Sequence, residues 1–320
     1  MRRAFPRSRP YLPLLAALSL AAAGCADTFV PASVIEDRRV LALVAEPPEL
    51  DLTVASTRVR AVEAQPIDEP ALPAGTSLAR RWSFCPFSTG ASTGYACAVP
   101  QCERPLVPDA SGAVTVVPAA ELQACLAAVG GALPPDLSSG GALPALLEVL
   151  VRYRLVEVTA GVPAPREVVL REAVQRIPVW TQAHADLNVN PAFAAASPVT
   201  VGGAAAVPCD PADLPACLPA GTLSGAAPLL VEATVDRLTI QDYLVGDRLT
   251  AETFSLSFFT TAGRFDFERA NATREQPKGS VQLKHDKVPA GTTQALLWVV
   301  LRDLRGGQAV AGPYLLTVQP

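Results

Sequence analysis

The chain has 320 residues, of which 50% are hydrophobic, 18% charged and 6% aromatic, with 31 prolines and a formal net charge of -4. That apolar content suffices for packed cores and excludes an intrinsically disordered chain. The absence of any long basic run argues against a nucleic-acid partner, since phosphate binding needs clustered Lys and Arg.

Arg2, Arg3, Arg7 and Arg9 open the chain; an uncharged stretch rich in Leu and Ala follows over residues 11–24, and then Cys25. This is the pattern of a secretory signal peptide, with an apolar stretch shorter than the ~20 residues that a membrane-spanning helix needs. The twin arginines also look like a fragment of a twin-arginine signal, which Pro6 interrupts, so the export route stays open. Ala22-Ala23-Gly24-Cys25 resembles the lipobox of bacterial lipoproteins, in which the cysteine is lipidated on sulfur, becomes residue one after cleavage, and is acylated on nitrogen. The resemblance implies a signal peptide over residues 1–24, palmitate-type lipidation of Cys25, and a lipidated tether over residues 25–37. Ala22 stands where Leu is usual, and ordinary cleavage after one of Ala21 to Ala23 is the alternative.

Cysteine arithmetic separates the two. With Cys25 used as lipid carrier, six cysteines remain: Cys85, Cys97, Cys102, Cys125, Cys209 and Cys217. That even number suits three disulfides in an oxidising compartment. Ala26 follows the cysteine where Asp would signal inner-membrane retention by analogy with enteric bacteria, so the outer membrane is expected, on its periplasmic or cell-surface face.

Beyond the tether, apolar runs of five to nine residues alternate with turn-rich stretches, as in all-β domains. Residues 40–45 form an apolar run stopped by Pro47-Pro48, which fits an edge strand because Pro cannot donate to a ladder. Residues 57–63 alternate, with Arg58 and Arg60 outward and Val59 and Ala61 inward, and Leu78, Trp82 and Phe84 share a face of the next strand. Residues 150–158 alternate again, and 168–177 form their hairpin partner. Between these groups, residues 86–144 hold four cysteines and one stretch of helical spacing over 119–129, with Leu122, Cys125, Leu126 and Val129 on one face. Four cysteines allow three pairings, of which Cys85 with Cys97 and Cys102 with Cys125 is preferred; Cys209 and Cys217 are expected to bond to each other.

Asn188-Val189-Asn190-Pro191 reads as a linker. In the second half, Leu229, Val231, Ala233 and Val235 alternate with polar residues, as do Phe254, Leu256 and Phe258. Residues 295–301 are apolar on both faces, as a doubly buried strand would be, and turn through Asp303-Leu304-Arg305-Gly306-Gly307 into a last strand.

Residues 254–263, Phe265 and residues 295–307 resemble the Ig-like and polycystic-kidney-disease (PKD)-like repeats of secreted bacterial proteins, with Phe258 where a Trp is usual. Residues 39–49 with Trp82-Ser83-Phe84-Cys85-Pro86 are similar to the opening Ig-like module of uncharacterised lipoproteins from high-GC Gram-negative bacteria, which also suits a chain with far more Arg than Lys. The expected fold is therefore all-β: two Ig-like antiparallel β-sandwiches with a Cys-rich, partly helical insertion in the first. The first spans residues 38–185 with its insertion at 86–144; a linker and disulfide loop cover 186–225; the second, Ig-like or PKD-like, covers 226–320.

The residues offer little chemistry. His184 and His285 have no His or Cys at metal-ligand spacing, no C-x-x-C is present, and no nucleophile elbow or phosphate-cradling glycine loop appears. No catalytic residue, metal or cofactor is expected. Asp236, Asp242, Asp247 and Asp303 are the weak candidates for a calcium cluster, though lone turn Asp residues usually bond nearby backbone. Trp82 and Trp298 lie within strand patterns as core residues, which leaves Trp180 as the candidate recognition residue. The expectation is a membrane-anchored, non-enzymatic structural or adhesive module whose partners are the membrane, through its lipid, and an envelope protein or a glycan. A carbohydrate- or peptidoglycan-binding accessory module is the alternative, and a hydrolase built around His184 and Asp186 a further one.

Overall fold

Alternation of inward and outward side chains in the first half builds β1 (Arg39–Glu46), β2 (Leu50–Asp51), β3 (Thr57–Ala64), β4 (Thr76–Cys85), β5 (Arg104–Leu106) and β6 (Val114–Val116), then helix α1 (Pro118–Ala128), β7 (Leu146–Thr159) and β8 (Arg166–Trp180). The computed structural model describes residues 31–51, 53–130, 144–161, 164–245 and 247–319. The expected signal peptide, Cys25 and residues 131–143 of the expected insertion lie outside the described residues. Sheet β1-β3-β6 faces sheet β2-β8-β7-β4-β5. Leu43, Ala45, Val59, Val114 and Val116 from the first meet Leu50, Trp82, Phe84, Val151, Tyr153 and Ile177 from the second in one core. Trp82 and Tyr153 pack edge to face with ring centroids 4.6 Å apart.

The stretch 86–144 does more than interrupt this sandwich. It supplies β5, an edge strand on β4, and β6, which pairs with β3. Both have three residues, too short for periodicity to reveal, and Pro105 is tolerated in β5 because the strand lies at a sheet edge. Helix α1 starts with Pro118 at its first position, where the missing N–H costs nothing, and turns Leu122 and Cys125 into the core. The Cys102–Cys125 disulfide holds it there, and Cys85–Cys97 closes the loop after β4 over Leu150.

The second half contributes β9 (Val199–Val201), β10 (Ala204–Ala205), β11 (Gly221–Leu223), β12 (Leu229–Thr234), β13 (Asp242–Val245), β14 (Arg248–Ala251), β15 (Phe254–Thr260), β16 (Arg264–Phe265), β17 (Arg269–Ala272), β18 (Lys278–Lys284), β19 (Gln294–Arg302) and β20 (Gln308–Val318). Sheet β10-β9-β12-β18-β16 faces sheet β11-β20-β19-β15-β17, while β13 and β14 form a separate hairpin. The plan repeats the first sandwich. β1, β2, β3, β4, β5, β6, β7 and β8 hold the places that β9, β11, β12, β15, β17, β18, β19 and β20 hold in the second. In both, a short strand runs parallel to the last long one, β2 along β8 and β11 along β20. The other named pairings are antiparallel, giving two Ig-like sandwiches.

Ser33–Pro320 is one compact unit. The reason is visible in two strands that are apolar on both faces. β19 sends Ala295, Leu297, Val299 and Leu301 into its own core and Leu296, Trp298 and Val300 outward. β1 sends Leu43 and Ala45 inward and Leu41, Ala42 and Val44 outward, the consecutive Leu41 and Ala42 being accommodated where its register slips against β3. The two outward sets meet in a third apolar layer, joined by Ile35, Ala64 and Leu315. Four sheets are thus stacked with three apolar layers between them. Along β3 the outer face changes accordingly: Arg58 and Arg60 are exposed, whereas Val62 and Ala64 enter the shared layer.

Two flanking segments join this layer. The tether expected over residues 25–37 is docked from Ser33 onward: Thr260 N–H donates to Ser33 O, Ile35 N–H donates to Thr260 O, and Ile35 is fully buried against the second sandwich. Within 186–225, the expected linker and disulfide loop, Asn188 is fully buried and the Cys209–Cys217 loop packs on the shared layer. The polar, Pro-flanked sequence at Asn188 satisfies buried backbone groups rather than solvating a hinge. Trp298→Ala removes the largest side chain of the shared layer while leaving both inner cores intact; it should cost about 3–5 kcal/mol in chemical denaturation. A loss under ~1 kcal/mol would mean that the layer contributes little.

Candidate functional site

Where the two sandwiches meet, the side chains that replace apolar contact are polar and buried. Glu49 precedes β2, Glu252 precedes β15, and Asp303 and Arg305 sit in the turn between β19 and β20. Arg305 bridges the modules, with Nη1 3.0 Å from Glu252 Oε1 and Nη2 3.2 Å from Glu49 Oε2. Its guanidinium also lies over the Tyr243 ring, 5.3 Å from the centroid. The Asn188 backbone N–H donates to Glu49 Oε2 (2.6 Å), and its Nδ2 donates to Asp303 Oδ2 (2.8 Å). Asp303 Oδ1 accepts from the backbone N–H groups of Arg305 (2.8 Å) and Gly307 (2.9 Å). A Cβ on Gly307 would stand 2.1 Å from Asp303 Oδ2, so only glycine allows this close turn.

Amides complete the junction. Asn190 Nδ2 donates to Ala45 O (2.7 Å) in β1, and its Oδ1 accepts from Gln308 N–H (3.0 Å) in β20. Gln308 Nε2 donates to Gln175 Oε1 (2.7 Å), and Gln175 Nε2 donates to Gly306 O (2.9 Å). Burial lifts the Asp303 carboxyl above its ordinary range despite these hydrogen bonds. Burial does the same to Glu252, and the neighbouring Asp303 charge adds to it. A carboxylate cluster that shares one arginine can position modules; it offers no nucleophile and base in mutual contact.

Trp180 lies at the edge of this junction. It is half-buried, its indole N–H donates to Glu49 Oε1 (2.6 Å), and one face stacks on His184 at 3.9 Å with the rings 10° from parallel. His184 is held through its backbone N–H, which donates to Asp51 Oδ2 (3.0 Å). The hydroxyl of Thr53 is the strongest of the hydrogen bonds that hold the Asp51 carboxyl down at about 2. The four aspartates considered for calcium are dispersed: Asp303 is in the junction, Asp236 caps a short turn at Leu238 N–H, Asp242 pairs with Arg274, and Asp247 is exposed beyond β13. Among the described residues no three His, Cys, Asp or Glu side chains form a metal-binding group. The six cysteines stand as three disulfides: Cys85–Cys97, Cys102–Cys125 and Cys209–Cys217.

The sequence alone gives Glu49 and Glu252 no role, and places Asn188 in a linker and Arg305 in a turn. Their signal is indirect: a strand apolar on both faces needs a covering partner, and polar turns beside it must then pair at the rim. Arg305→Met leaves Glu49 and Glu252 buried without their shared cation and should cost about 3–5 kcal/mol at neutral pH. The lifted carboxyls of Glu252 and Asp303 bind protons in the folded chain where the unfolded chain has released them. Their burial penalty therefore falls as pH is lowered through that lifted range. The Arg305→Met deficit should accordingly shrink on mild acidification in urea titrations; a deficit that grows would contradict this assignment.

No protein-family model matches the chain, and no curated protein matches it. Among solved structures, the D0-D1 domain of intimin is 10% identical, with 87% of this chain and 98% of that chain covered at a TM-score of 0.22. The fibronectin(III)-like modules of Clostridium thermocellum CbhA are 11% identical, with 88% and 92% covered and a TM-score of 0.22. The N-terminal Ig1-2 module of the Drosophila receptor protein tyrosine phosphatase DLAR is 8% identical, with 89% and 100% covered and a TM-score of 0.23. Scores this low equate neither module arrangement nor function.

Proposed function

We propose that this chain is an extracytoplasmic lipoprotein, anchored in the outer membrane through Cys25, that serves as a rigid structural or adhesive module of the cell envelope and performs no catalysis. The observation that carries this reading is the set of three disulfides, which belong to an oxidising compartment. They join a chain whose first 25 residues have the charge and apolar pattern of a lipoprotein signal. The fused stack supports the structural part: a body with three continuous apolar layers presents its loops on a stiff frame, as recognition surfaces require. The carbohydrate-binding alternative is the weaker one, because Trp180, its stacking residue, already has one face on His184 and its N–H on Glu49.

Anchoring at Cys25 also sets a short leash. The eight residues from there to docked Ser33 reach at most about 30 Å when fully extended, so the body would stand close to the bilayer. The test is processing and release. The mature protein should have a mass lacking residues 1–24 and carrying acyl chains, and Cys25→Ser should move it from the membrane fraction to the soluble one. An unmodified mass, or a Cys25→Ser protein that stays on membranes, would overturn the anchor.

A further inference from the structure

A cleft of about 340 Å³ opens on the seam between the sandwiches. One wall is β8, through Val174, Gln175, Arg176 and Pro178; the other is the end of β19 and the turn into β20, from Arg302 to Gln308. Three guanidinium-bearing residues line it, Arg176, Arg302 and Arg305, against a single carboxylate, Glu148. Their states differ. Arg305 is committed to Glu49 and Glu252. Arg176 has a loose partner, Nη1 being 3.4 Å from each Glu148 oxygen.

Among the described residues Arg302 meets no carboxylate. Its hydrogen bonds go to neutral acceptors, from Nη2 to Leu41 O (2.8 Å) and from Nη1 to Ser257 Oγ (3.4 Å). Those two bonds use two of the five N–H donors of a guanidinium. Burial lowers its pKa, and the charge of Arg269 lowers it further. Two other enclosed arginines are compensated, Arg38 by Glu63 and Glu69 and Arg152 by Glu172. A partly desolvated cation without a counter-charge is costly, and an anion that enters the same low-dielectric space gains what the cation lacks.

We propose that this cleft binds a small oxyanion, a carboxylate or phosphate group on a ligand of monosaccharide size or less, with Arg302 as the principal cation and Arg176 as the second. The volume lies at the small end of ligand sites, which fixes the size class. Gln175 and Gln308 are tied to each other and to Gly306 O, so the floor is formed before the ligand arrives. Such a ligand would touch both sandwiches. The inference does not rest on lipid anchoring and holds for the released protein as well.

Isothermal titration at neutral pH with inorganic phosphate and with glucuronate, each against sodium chloride of equal ionic strength, tests it. At least one oxyanion should bind saturably with 1:1 stoichiometry, and the preferred one assigns the group. Arg302→Gln should weaken binding at least tenfold and Arg176→Gln several-fold, while Arg248→Gln, an exposed position outside the cleft lining, should leave it unchanged. Arg302→Lys keeps the charge and should retain part of the affinity if the Gln variant folds poorly. Absence of saturable binding by both probes, or equal affinity in the Arg302 and Arg248 variants, would overturn the proposal.

Discussion

A strand that is apolar on both faces is stable only if both faces are covered, and this chain contains two of them, β1 and β19. Each inner face is covered by its own sandwich. The outer faces cover each other, with Leu41, Ala42 and Val44 against Leu296, Trp298 and Val300. At about 1.5–3 kcal/mol for each large apolar side chain removed from water, such a layer outweighs any ordinary surface contact between modules. It explains why tandem Ig-like units, which elsewhere can flex about a linker, here form a single stack. It also explains the course of the entering chain: Ile35 is part of the layer, so residues ahead of β1 lie on the second sandwich before the first begins.

At the rim of the layer the chemistry changes from area to pairing. Glu49, Glu252 and Asp303 are carboxylates at positions where water is largely excluded, and Arg305, Asn188 and backbone N–H groups hold them. Burying charge in this way adds little net stability. Its effect is on register, since a slide of one sandwich over the other would leave those carboxylates unpaired. A half-buried carboxylate at the edge of the first core obeys the same logic. Burial pushes the Glu63 carboxyl up, but hydrogen bonds from Arg80, Tyr153 and Arg38 outweigh it and hold the group below its ordinary range. Arg302, at the seam, has only the neutral acceptors Leu41 O and Ser257 Oγ among the described residues.

Much of the fold was legible in the sequence. Alternation at Arg58, Val59, Arg60 and Ala61, the hairpin of β7 and β8, the helical face of Leu122 and Cys125, and the doubly apolar β19 all follow from side-chain period and turn residues. What stayed hidden was non-local. β5 and β6 are too short to have a period, and β6 finds its place only by pairing with β3. Asn188-Val189-Asn190-Pro191 has the composition of a linker, yet its amides bond across the seam, because composition reports polarity and not the partners that satisfy it. The junction carboxylates were invisible for the same reason: Glu49 and Arg305 are 256 residues apart in the chain. The doubly apolar β19 was the clue that pointed to a cover, and the run of β1 the matching surface.

The most direct test of the shared layer is differential scanning calorimetry of the purified protein under reversible conditions. One cooperative transition is expected, with calorimetric and van't Hoff enthalpies that agree, because neither sandwich can lose its partner without exposing β1 or β19. Two separable transitions, each with the enthalpy of a single sandwich, would contradict it.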